Sequence, residues 1–203
     1  MDLRSVAAST TRRVQELFPD LATTVRIRVD PGATIPEMGV GGFTDVGTGT
    51  VTISLDPDRP GFERTLRTWL PITLAHELDH SERTRRGPGY GDTLLQAMVS
   101  EGMADAFARQ ALPGSPPIPW DHALDPIEEY VLWRQSLPHL GQRQSSAGHA
   151  LWFYGTGRIP RWAGYTIGHH IVASYLLRHP RMTAAEIVRV RARLILEGSR
   201  FGR

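Results

Sequence analysis

PITLAHELDH, residues 71–80, decides how this chain is read. From Phe62 to about Arg85, Leu66, Trp69, Leu70, Thr73, Leu74 and Leu78 recur at steps of three and four, the spacing of one helix face. Pro71 interrupts the run, so the helix either begins there, with the proline in its first turn, or kinks. Inside it stands His76-Glu77-Leu78-Asp79-His80. Positions four apart lie one turn apart on one face, so both imidazoles can reach a single cation at about 2.0–2.1 Å, the usual zinc–nitrogen distance. Glu77 can reach a water at such an ion, accept its proton and pass it to a leaving group. Ile72, Leu74, Ala75 and Leu78 predict that the helix is largely buried. A buried histidine pair beside a buried carboxylate is costly unless a metal or another partner satisfies it.

Composition narrows the chemistry. The chain holds no cysteine, which excludes disulfides, thiolate metal sites and thiol nucleophiles, so a metal site must use His, Asp and Glu. Its 203 residues fit one domain, and the reading is a single domain over 1–203. The net charge is only +2, and every basic side chain is an arginine. These arginines are scattered rather than clustered, so no nucleic-acid partner is expected. No segment approaches the roughly 18 apolar residues of a membrane span. The opening MDLRSVAAST carries no long apolar run of a secretory leader, so the expected location is cytoplasmic.

Outward from the metal-motif helix, the pattern predicts α+β with helices dominant: a short β-rich part over about 1–60, then a helical part over about 61–200. Residues 1–19 read as an amphipathic helix ended by Pro19 and Asp20. TTVRIRV (23–29) and TVTISL (50–55) read as strands, and the glycine-rich stretch between them as turns. After the loop GPGYGD, with Asp92 as a candidate N-cap, TLLQAMVSEGMADAFARQA (93–111) is a second strong helix. Further helices are expected over about 123–136, 165–178, and from a Thr183 cap to about Glu197. Residues 138–160 are poorly periodic.

A catalytic zinc usually takes three protein ligands. Glu101, in the apolar run of the second strong helix, is the prime candidate for the third, with Asp79 and Asp92 as the alternatives. Asp105, one turn after Glu101, reads either as an acid that orients a ligand histidine or as an ordinary surface acid.

HExxH followed by ExxAD on the next helix resembles the gluzincin group of zinc peptidases. That resemblance implies zinc on His76, His80 and Glu101, Glu77 as general base, and Asp105 in support of a ligand histidine. WAGYTIGHHIVASYL (162–176) also resembles a family of predicted bacterial zinc-dependent proteases, otherwise a domain of unknown function; the likeness covers roughly residues 60–180. It points to Gly164–His170 for the group that steadies negative charge on the attacked oxygen. Tyr165 is preferred, because a phenol donates while neutral at pH 7, and His169 is second. Gly164 and Gly168 suggest close approach of another backbone or of substrate. His122, His139, His149 and His179 read as solvated or capping residues, although His149 lies near Trp152 and Tyr154 and could line a cleft. TVTISL reads either as an ordinary internal strand or as an edge strand that pairs with an extended peptide. The function expected is a zinc metallopeptidase acting on a peptide or protein substrate. The rivals are a zinc-binding regulatory or partner-binding protein without proteolysis and a zinc amidase on a non-peptide bond. Oligomeric state is not legible.

Overall fold

The structure, a computed structural model, describes residues 2–202. Its described elements are those of a helix-dominated α+β protein. In chain order they include α1 (Leu3–Leu17), β1 (Val25–Val29), β2 (Val40–Thr44), β3 (Val51–Leu55), α2 (Phe62–Arg64), α3 (Leu70–Arg86), α4 (Leu94–Ala111), α5 (Pro126–Ser136), α6 (Ser146–His149), α7 (Ala163–Arg178), α8 (Ala184–Ile187) and α9 (Ala192–Gly198). The chain divides into two compact units: residues 1–89 with 107–116, and residues 90–106 with 117–203.

In the first unit, the Asp2 side chain accepts from the amides of Arg4 and Ser5 and starts α1, which buries Val6, Thr10 and Val14 at four-residue steps. The three strands form one mixed sheet in the order β1-β3-β2. β1 runs parallel to β3, with Val25 opposite Val51. β2 runs antiparallel to it, with Val40 opposite Leu55 and Thr44 opposite Val51. TVTISL is therefore the central strand, and the edge-strand reading of it is corrected. It buries Val51, Ile53 and Leu55, as its alternation predicts. The edges are β1 and β2, and β2 lies inside the stretch read as turns. Its sequence VGGFT has no apolar alternation, so pairing with β3 rather than intrinsic preference makes it a strand.

α3 packs on α1, β2 and β3. Thr65–Trp69 precede it as a single wide π-turn that continues the helical path from α2, so at Pro71 the chain widens one turn rather than starting a helix. Phe18 stacks on Phe107 with ring centroids 4.4 Å apart, which ties the last turns of α4 into this unit.

The second unit has an apolar core that includes Leu94, Met98, Phe153, Ile167, Ile171 and Ile195. Asp125 and Glu128 close a reciprocal capping box on α5, and Thr183 and Glu186 close another on α8. The helix expected from Thr183 to Glu197 is interrupted, with α8 ending at Ile187 and α9 beginning at Ala192. Asp92 does not cap α4: Thr93 sits at that end with its hydroxyl 3.3 Å from the Gln96 amide, and Asp92 pairs with Arg143 at 2.7 Å. A Cβ on Gly102 would lie 2.2 Å from the Gly168 carbonyl oxygen, and one on Gly168 would lie 1.9 Å from that of Met98. Helices α4 and α7 thus meet backbone to backbone, which settles Gly168 as a site of helix approach.

Candidate metal centre

In the first unit α3 buries an unusual row of polar side chains: Thr73, His76, Glu77, Asp79, His80, Ser81, Glu82 and Arg83. His76 and His80 lie one turn apart, and their Nε2 atoms stand 3.1 Å from each other. The rings are edge to face, at an interplanar angle of 86°. Two nitrogen donors of one tetrahedral zinc ion, each at about 2.0–2.1 Å, stand about 3.3 Å apart. The pair therefore fits zinc in spacing, and imidazole fits it in donor type.

Glu77 is buried beside this pair. The Thr44 hydroxyl, on edge strand β2, lies 2.6 Å from Glu77 Oε2 and 3.0 Å from the Glu77 carbonyl oxygen. At Gly42 on the same strand, an added Cβ would sit 2.5 Å from Glu77 Cγ and Oε1. Asp79 is fully buried, and neither of its carboxyl oxygens has a hydrogen-bond partner. Burial pushes it up to about 6, opposed by the charges of His80, Arg83 and His76.

In the second unit Glu101 lies on α4 and is buried. Its Oε1 accepts a hydrogen bond from the Tyr90 hydroxyl at 2.7 Å. Burial, reinforced by the Glu101 charge, holds the Tyr90 phenol well above its usual range, so Tyr90 stays protonated and donates. Tyr90 lies in the loop before α4, eleven residues from its acceptor. No periodicity marks it, and the sequence reading missed it. His149 packs face to face on Phe153 at 4.3 Å and lies 6.4 Å from the Tyr90 ring. Burial lowers its pKa, and the Glu101 charge acts the other way.

Asp105 is buried rather than a surface acid, and it accepts from the Trp120 indole N–H at 2.8 Å. Tyr165 packs between Trp120 and Phe153, at 4.9 and 5.0 Å between ring centroids. The His169 ring is half-buried, 5.4 Å from that of His170. His170 faces Glu129, with Nδ1 2.9 Å from its Oε1. Gly164 meets a side chain rather than a backbone: a Cβ there would come 2.8 Å from the Phe153 ring.

A family model described as a predicted Zn-dependent protease, of otherwise unknown function, matches residues 9–197. The chain belongs to the DUF2268 family. Membership brings zinc as the metal named for the family, and the family's description names proteolysis as its predicted activity. The match takes in α3, α4 and α7, and with them His76, Glu77, His80, Glu101, Asp105, Tyr165 and His169. Neither the curated proteins nor the solved structures contain a match to this member of DUF2268. Among the described residues, no helix is long and apolar enough to cross a membrane.

Proposed function

We propose that this protein is a zinc metallopeptidase of the gluzincin type, which hydrolyses peptide bonds in peptide or protein substrates. The observation that carries the reading is the buried His76–His80 pair at zinc-donor spacing, with the Glu77 carboxylate beside it. His76, His80 and Glu101 would hold the ion. When bound, zinc would polarise a carbonyl and lower the pKa of water.

The chain's own residues supply the rest. Glu77 takes a proton from the attacking water as its oxygen adds to the carbonyl carbon. It returns that proton to the nitrogen as the C–N bond breaks, so one carboxylate serves as base and then acid. Tyr165 or His169 donates to the carbonyl oxygen as negative charge builds on it. Tyr90 fixes the rotamer of Glu101 through their hydrogen bond. Edge strand β2 is the surface for an extended substrate. Antiparallel alternation turns the backbone groups of Gly42 away from β3, and Gly42 is exposed. Such pairing depends little on side chains and suits unfolded polypeptide.

Glu77→Gln is the direct test. The variant is expected to bind zinc one to one and to lose hydrolysis of a quenched peptide library by about a thousandfold or more. A Glu77→Gln protein with undiminished turnover would overturn the mechanism.

A further inference from the structure

An exposed glycine in a strand needs a reason, because glycine weakens strands. Gly42 has no positive φ to explain it, and it is exposed, so no tightly packed core excludes a side chain there. What occupies the space is Glu77: a Cβ at position 42 would lie 2.5 Å from Cγ, 2.5 Å from Oε1 and 2.8 Å from Cδ. Two residues along the same strand, the buried Thr44 presents its hydroxyl to the other carboxylate oxygen, Oε2, at 2.6 Å. Side chains two apart on a strand point to the same face. β2 therefore addresses Glu77 twice, once with a donor and once with a gap.

We infer that Gly42 and Thr44 are positioning residues for Glu77 that give its two oxygens different roles. Thr44 occupies Oε2 as a hydrogen-bond acceptor. The missing side chain at Gly42 reserves the place of Oε1 over the exposed part of the strand, so Oε1 is the oxygen that takes and returns the proton. A hydroxyl has one proton, and here it lies within reach of both Oε2 and the Glu77 carbonyl oxygen. That contact ties the carboxylate to the backbone of its own helix as well as to the strand. The inference rests on the peptidase reading for the word proton, but the seat itself is a matter of geometry.

An ordinary contact of about 3.4 Å at Cβ requires Glu77 to move by about 1 Å, and displacement of that size in a reacting group lowers rates by about a hundredfold. The atoms struck are the far end of a flexible side chain, so the strand need not shift. Gly42→Ala is then a probe of the carboxylate alone. The experiment uses the full chain loaded with cobalt in place of zinc, and acetohydroxamic acid as ligand. This small chelator binds a metal and gives its hydroxyl proton to an adjacent carboxylate, and it has no peptide part to engage a cleft. Its dissociation constant is read from the cobalt absorption spectrum, beside kcat and KM on the quenched peptide library.

Gly42→Ala and Thr44→Val are expected to keep one metal per chain. They should lose about tenfold or more in hydroxamate affinity and about a hundredfold and tenfold in kcat, respectively. Thr44→Ser, which keeps the hydroxyl, should restore both. If both variants bind hydroxamate as the parent does, the seat is overturned. If the parent itself binds hydroxamate no better than Glu77→Gln does, the peptidase reading fails instead.

Discussion

The two units handle buried charge differently. In the second, each buried carboxylate named above has a donor from another part of the same unit: Glu101 has the Tyr90 hydroxyl, Asp105 the Trp120 indole, and Glu129 the His170 ring. In the first, α3 carries His76, Glu77, Asp79, His80, Glu82 and Arg83 in one buried run, and neither carboxyl oxygen of Asp79 has a hydrogen-bond partner. A buried charge without a partner is costly. The first unit thus concentrates its polar burden on the helix that carries the HELDH motif. The second spreads its acids out and pins each one, which suits a unit that presents a carboxylate at a fixed place.

That contrast can be broken in several ways, the largest effect first. Gly168→Val would drive a side chain into the Met98 carbonyl and should destabilise the protein by about 3 kcal/mol or more in urea unfolding. A smaller loss would mean that α4 and α7 are not pinned. Trp120→Phe removes the donor to buried Asp105 and is expected to cost about 1–2 kcal/mol by the same measurement. Were it neutral, the second unit's acids would not be held by their aromatic donors. Tyr90→Phe should weaken zinc binding about tenfold in a chelator competition while the melting temperature stays within a few degrees. Zinc affinity equal to the parent's would remove Tyr90 from the support of Glu101.

The smallest effects are pH slopes, and they have opposite signs in the two units. Asp79 is raised to about 6 against an ordinary value of 3.8. Between those limits the folded chain holds the extra proton, so this contribution grows as pH falls through 6 and is complete below 3.8. His149 is lowered from 6.5 by burial. There the unfolded chain holds the extra proton, so this contribution is full above 6.5 and declines as pH falls below it. In the metal-free protein, Asp79→Asn should remove the first slope and His149→Phe the second, as read by urea midpoints between pH 4 and 8. Parallel curves for parent and variants would show that burial does not set these charges.

The parts legible in the sequence are those with period or spacing. The three- and four-residue rhythm gives α3 and α4, and alternation gives β1 and β3. Thr183 marks a helix start that is there. β2 was illegible because GVGGFT has no alternation; it is a strand only because β3 pairs with it. That one omission also misplaced the sheet edge. Asp92 looked like a cap, but Thr93 lies nearer the first turn. In the candidate centre, the histidines and Glu77 declare themselves by spacing. Tyr90, Thr44 and Gly42 act through contacts across loops or strands, which no local pattern encodes.

The backbone crossing at Gly102 and Gly168 has one more consequence, for motion. Two rods in tight contact at one point rock about that point, and displacement is least there. Glu101 is the residue next to the pivot on α4, so thermal rocking of the pair carries its Cα through a smaller arc than that of any residue near the helix ends.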